Sequence, residues 1–126
     1  MVYITRIEHF NAAHKLYNPL WSRERNEEVF GKCANENWHG HNYTLEVVVA
    51  GDVEKLSQIV QKHVIEKLDH KNLNVDVDFM NGKLCSIENL VIGIWGQLEP
   101  NLPPAISLHA LKLYETPRIY VEYFGN

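Results

Sequence analysis

Cysteine is scarce in this chain: Cys33 and Cys85 are the only two among 126 residues. At most one disulfide can form, so no disulfide framework holds the fold. A basic surplus is missing as well. The net charge of −4 lacks the ordinary electrostatic footprint of a nucleic-acid or anionic-membrane binder. No apolar run approaches the ~20 residues that span a bilayer. The opening stretch MVYITRIEHF carries charges where an export signal needs an apolar core. Repeats and low-complexity tracts are absent too. What remains is the profile of a reduced, cytoplasmic, globular protein, 45% apolar and 22% charged. It is long enough to bury a core as a single domain over residues 1–126.

The periodicities order the chain. VYITRIEHFNAAH is rich in β-branched and aromatic residues, and a strand there puts Phe10, Ala12 and His14 on one face. LYNPLWSRERNEEVFGK is polar and broken at Asn18-Pro19, which predicts a loop or a short helix. HNYTLEVVVAG alternates, with Tyr43, Leu45, Val47 and Val49 on one side. From Asp52, a suitable N-cap, to Leu68, the residues Val53, Leu56, Val60, Val64 and Leu68 recur at helical steps. DHKNLNVDVDFMNGK then reads as a loop. Ser86 can cap a second helix carrying Leu90, Val91, Ile94, Trp95 and Leu98, stopped by Pro100. ISLHALKLYE and RIYVEYF are strands joined at Thr116-Pro117. The expected class is α+β, ββααββ: a four-stranded antiparallel sheet with two helices on one face.

The chemistry concentrates at strand ends. His39 and His41, two apart at the start of a strand, leave the same face, and His14 closes another strand. If those strands pair, three imidazoles converge on one metal, and three neutral nitrogens suit zinc with a fourth position to fill. The competing reading is three ordinary surface or hydrogen-bonded histidines. Cys33, six positions before His39, has three readings: an inert buried thiol, a fourth zinc ligand, or a thiolate acting as base or nucleophile. Asp69 directly precedes His70. A carboxylate accepting from an imidazole N–H orients the ring for acid–base work, although Asp, His and Lys also describe a plain polar helix end.

Glu115 falls on the strand face of Leu111 and Leu113, where the alternation calls for an apolar side chain. A carboxylate there needs a partner, and a ligand with two parallel N–H donors would supply one. The alternative is an exposed carboxylate at a fraying strand end. Glu88 reads equally well as an acidic residue in the first turn of a helix. Cys85 reads as structural, and nothing around His9, His63 or His109 suggests a site.

With these residues in view, FNAAHKL, FGKCANENWHGHNY, LDHKNLN, IEN and LYET stand in an order that resembles the 6-pyruvoyltetrahydropterin synthases. The resemblance covers nearly the whole chain. It implies the tunnelling fold, with ββααββ subunits in trimers and two trimers stacked as a homo-hexamer. It also implies one Zn2+ per subunit on His14, His39 and His41, with Cys33 as the catalytic cysteine. Asp69 and His70 match the catalytic dyad that reaches the site from a neighbouring subunit. Glu115 matches the pterin anchor, with Glu88 and Ser86 in the same pocket. The implied substrate is 7,8-dihydroneopterin triphosphate, with Lys32 and Lys71 as candidates for holding the triphosphate and Mg2+ as a candidate companion to it. The implied product is 6-pyruvoyltetrahydropterin, in tetrahydrobiopterin biosynthesis. The related 6-carboxytetrahydropterin synthases of queuosine biosynthesis are the alternative; their cysteine motif has a shorter gap before H-G-H. A non-catalytic protein with Cys33 closing the zinc site is the third reading. Two departures from the family stand out. Ile87 replaces a hydroxyl residue before Glu88, and Gly51 runs straight into Asp52 where the family has a longer connection with a hairpin. That junction raises the expectation of a loop missing between the two residues.

Overall fold

A computed structural model describes residues 1–34, 39–51 and 54–126, with the side chain of Cys33 outside that set. The expectations for the Cys33 thiol, for Asp52 as N-cap, for Val53 and for the Gly51–Asp52 junction therefore lie outside the described residues.

Two long strands build the frame. β1 (Ile4–His14) and β2 (His39–Gly51) pair antiparallel from Ile4↔Val49 to His14↔His39. β2 pairs in turn with β4 (Ile106–Thr116), and β4 with β5 (Ile119–Tyr123), both antiparallel. The sheet has five strands rather than the expected four, in the order β3-β1-β2-β4-β5. The extra strand, β3 (Lys71–Asn72), lies in the stretch expected to be a loop and runs parallel to β1 at Ala12 and Ala13. Two residues carry no alternating pattern, so nothing in the sequence distinguishes them from a loop.

Alternation divides the sheet into two faces. Phe10, Ala12, Tyr43, Leu45, Val47, Val49, Leu111 and Leu113 turn inward and are almost wholly buried. The helices cover that face. α2 (Leu56–Val60), a π-helical turn (Gln61–Ile65) and α3 (Glu66–Leu68) run on as one helix. Its stripe of Leu56, Val60, Val64 and Leu68 is buried as its spacing predicts. α4 (Ile87–Leu98) begins at Ser86, whose Oγ accepts from the Asn89 N–H, and buries Leu90, Val91, Ile94, Trp95 and Leu98. Gly93 lets this helix approach the Phe79 ring closely, since a Cβ there would stand 2.8 Å from Phe79 Cδ2.

The polar segment after β1 contains a helix. Ser22 caps α1 (Arg23–Phe30), accepting from the Arg25 N–H. Asn26 is fully buried. Its amide donates to the carbonyls of Asn18 and Ser22, and its Oδ1 accepts from the Asn18 N–H. One buried side chain thus folds the Asn18-Pro19 turn back onto α1, satisfying polar groups that burial would otherwise leave costly. No helix among the described residues is long and apolar enough to cross a membrane.

Leu45 is wholly buried at the centre of the sheet. Leu45→Ala should lower the unfolding free energy of metal-free protein by about 2–5 kcal/mol in urea titrations. A loss well under 1 kcal/mol would show that this face is not the principal core.

Candidate metal centre and active site

The β1–β2 register assembles the histidines. His14 ends β1 and sits across from His39, the first residue of β2, while His41 is the partner of Ala12. Cross-strand partners share a face, so all three imidazoles emerge inward at one end of the sheet. Their Nε2 atoms form a near-equilateral triangle: His14 to His39 3.1 Å, His39 to His41 3.0 Å and His14 to His41 3.1 Å. The ring planes meet at 70°, 74° and 84°, like three blades around an axis.

Hydrogen bonding gives a poor account of that triangle. His14 Nδ1 lies 2.9 Å from the Cys85 carbonyl. A carbonyl only accepts, so Nδ1 carries the proton and the Nε2 lone pair points into the triangle. A tetrahedral ion with bonds of 2.0–2.1 Å would separate its ligands by about 3.3–3.4 Å, close to the observed spacing. The donor set therefore fits a metal ion. Burial, reinforced by repulsion from His14 and His39, pushes His41 down to about 4. His39 is lowered by burial and then by His14. Both imidazoles are neutral near pH 7, the form that ligates.

Glu115 stands beside the His14–His41 edge of the triangle. It belongs to β4 between Tyr114, paired with Tyr120, and Thr116, paired with Ile119. Because Ile119 and Tyr120 are consecutive, Glu115 is the extra residue of a β-bulge, a device that re-aims a side chain. Its Oε1 lies 3.2 Å from His41 Nε2 and 3.5 Å from His14 Nε2, with the side chain 16% exposed. The frayed, exposed alternative does not hold. Tyr43, fully buried and stacked on Phe10, meets the His41 ring edge-on and forms the floor beneath.

Asp69 and His70 form a pair at another place. Asp69 Oδ2 lies 3.0 Å from His70 Nδ1. Its Oδ1 accepts from the Asn11 N–H at 2.8 Å, and the Asn11 carbonyl accepts from the His70 N–H at 2.6 Å. That first bond, opposed by some burial and aided by His70, holds the Asp69 carboxyl below its ordinary range. His70 adopts φ 60°, a left-handed conformation uncommon outside glycine. Its side chain is 82% exposed, and Asn11 lies about 10 Å along β1 from His14 at ~3.4 Å per residue. The structure brings the dyad together but turns it away from the triangle of its own chain.

The remaining expected residues are placed less closely. Ser86 caps α4 and Glu88 is exposed in its first turn, as the plain helical reading of each requires. Lys32 and Lys71 are exposed. Sequence reasoning missed Cys85 and Asn11, which act through main-chain groups and leave no side-chain signature; the Cys85 thiol itself is buried, which raises its pKa.

A histidine depressed in the folded state loses stability on protonation. The unfolded chain binds the proton near its ordinary 6.5, whereas folded His41 resists it to about 4. Thermal melts of metal-free protein should therefore show Tm falling as pH drops from 6.5 towards 4. His41→Asn should flatten that slope, and an unaltered slope would contradict the assignment.

The comparisons agree with this geometry. The family profile described as 6-pyruvoyl tetrahydropterin synthase matches residues 3–126. A 6-pyruvoyl tetrahydrobiopterin synthase of Dictyostelium discoideum is 41% identical over 135 residues, covering 99% of this chain and 97% of that one. A dihydroneopterin monophosphate aldolase of Pyrococcus furiosus is 35% identical over 121 residues, covering 90% of this chain and 89% of its own length. Among solved structures, the Caenorhabditis elegans 6-pyruvoyl tetrahydropterin synthase superposes with a TM-score of 0.88 at 32% identity, covering 99% of this chain and 96% of that one. On sequence and on fold alike, the chain belongs to the 6-pyruvoyl tetrahydropterin synthase family.

Proposed function

We propose that this protein converts 7,8-dihydroneopterin triphosphate to 6-pyruvoyltetrahydropterin with loss of triphosphate. The observation that carries the reading is the triangle of Nε2 atoms on His14, His39 and His41 with the Glu115 carboxylate beside it. The family membership, reported above, supports that substrate. We take the ion to be zinc, whose preference for three imidazoles and one further ligand matches the donor set. Bound there, zinc would supply Lewis acidity towards the side-chain oxygens of the substrate.

The residues of the chain divide the remaining work. Glu115 accepts hydrogen bonds from the amino-amide edge of the pterin, whose two parallel N–H donors match a carboxylate. Asp69 takes the Nδ1–H of His70, so the ring's Nε2 is left to receive or return a proton. Cys33, as thiolate, is the second proton carrier. Removing a proton from a side-chain carbon lets triphosphate leave from its neighbour, and tautomerisation then yields the two-carbonyl side chain. Ser86 and Glu88 line the pterin pocket, and Lys32 and Lys71 remain candidates for the triphosphate, with Mg2+ as its companion.

The outward dyad supports a site completed between subunits of a homo-hexamer. His70 is 82% exposed in its own chain, which leaves its imidazole open to a neighbouring subunit. The proposed single-domain chain is then one sixth of the working enzyme, and its expected location is the cytoplasm.

Product mass spectrometry after incubating zinc-loaded protein with 7,8-dihydroneopterin triphosphate tests the reaction. A pterin keeping all three side-chain carbons, with free triphosphate, is expected. A carboxylated pterin with acetaldehyde, or a ring whose side chain has been cleaved as by an aldolase, would overturn the proposed product. Cys33→Ala should lose turnover by about 100-fold or more while keeping its zinc. Loss of zinc with the thiol would favour the closed, non-catalytic site. Hexamers reassembled from His70→Ala and Cys33→Ala chains should regain part of the activity that each variant lacks. No recovery would mean that each site draws its dyad from its own chain.

A further inference from the structure

His14 is the last residue of β1, and the ends of elements fray. A ligand side chain that must hold its position to within about 0.5 Å is badly served by a loose backbone. The segment that follows Asp69 and His70 removes that looseness. The Leu73 N–H donates to the Ala13 carbonyl at 2.8 Å, and the Lys15 N–H donates to Asn74 Oδ1 at 3.0 Å. The first bond holds the peptide plane before the His14 Cα, and the second holds the plane after it. Asn74 Nδ2 also donates to the Lys15 carbonyl at 3.0 Å. One side-chain amide thus meets both main-chain groups of Lys15, as a paired strand residue would. β3 pairs with β1 only at Ala12 and Ala13, so Asn74 adds a rung beyond the end of that ladder.

The surrounding turn presents this amide. Leu73 is wholly buried and anchors it. The Asn74 N–H donates to Asn72 Oδ1, and the Asn72 N–H to Asp76 Oδ2, both at 3.0 Å. Asn74 itself is exposed, where water would satisfy the Lys15 groups equally well. What the amide contributes there is direction rather than relief from desolvation. The effect falls on His14, whose buried ring is fixed at Nδ1 by the Cys85 carbonyl.

We propose that Asn74 is a positioning residue for the metal centre: by clamping Lys15 it fixes the His14 backbone, and with it the aim of Nε2 into the triangle. The same segment hangs Asp69 and His70 on Asn11. One splint along the edge of β1 therefore sets both the histidine and the Asp69–His70 pair. The assignment rests on the reading of the triangle as a metal site and adds to it the residue that prepares one ligand.

Two measurements on the full chain, neither needing turnover, test this. Zinc affinity is read by competition with a chelating indicator, and the Lys15 amide by hydrogen exchange in metal-free protein. Asn74→Leu keeps the volume and removes both bonds to Lys15. It should weaken zinc by about tenfold or more and open the Lys15 amide to exchange. Asn74→Asp keeps an acceptor for that amide but no donor for the carbonyl. It should leave the amide protected and lose less zinc affinity than Asn74→Leu, though still some. Leu98, wholly buried at the end of α4, supplies the control. Leu98→Ala opens a cavity, so it should lower Tm and leave zinc affinity unchanged. Circular dichroism at the titration temperature checks that each variant is folded.

Unchanged zinc affinity in folded Asn74→Leu would overturn the assignment. An equal loss in Leu98→Ala would do the same, since the effect would then be one of general stability. Should Asn74→Leu not fold, zinc affinity in Asn74→Asp equal to that of the unaltered protein would be the overturning result. Failure of the unaltered protein to bind zinc would overturn the metal reading itself, an outcome distinct from any difference among the variants.

Discussion

The antiparallel pairing of β1 with β2 is the constraint from which the site follows. Its register sets His14 across from His39 and Ala12 across from His41, so one ladder of backbone hydrogen bonds gathers three side chains from two distant segments. A slip of one residue would turn one strand's inward set to the far face. A slip of β2 would expose Tyr43, Leu45 and Val47 along with His39 and His41, and a slip of β1 would expose Phe10 along with His14. The core therefore enforces the register that the chemistry needs. Hydrophobic burial and ligand placement are the same structural decision, made by the same alternation.

Much of this was legible in the sequence because period-two alternation reports on side chains. Tyr43, Leu45 and Val47 announced the inward face, and His39 and His41 shared their parity. The helical stripe from Leu56 to Leu68 was equally plain, yet the π-helical turn at Gln61–Ile65 was not. Apolar spacing at Val60 and Val64 fixes a face without fixing which carbonyl each N–H finds. Glu115 was placed on the correct face, but its reach depends on a bulge, and a bulge is a property of two paired strands rather than of one. Main-chain partners stayed hidden for a similar reason. Any residue at position 85 offers a carbonyl to His14, so cysteine there says nothing of it.

The histidine triangle is held from several directions. β1 and β2 supply the imidazoles, the segment before α4 orients His14 through the Cys85 carbonyl, and β4 brings Glu115. Such outer contacts fix tautomer and ring angle, which a bare cluster of histidines lacks. The Asp69–His70 pair is organised on a separate principle. Asp69 and His70 hang from both main-chain groups of Asn11, at the sheet edge where β3 takes up its short parallel pairing.

The left-handed backbone of His70 has a bearing on engineering. A non-glycine residue held at positive φ costs the folded state about 1–2 kcal/mol, and glycine or asparagine would relieve it. A screen that rewards heat tolerance alone would thus be drawn to position 70 and would favour removing its imidazole. The more heat-tolerant protein so obtained would keep its histidine triangle and would lack the ring that the proposed chemistry requires. Selection for robustness and selection for turnover pull this one residue in opposite directions.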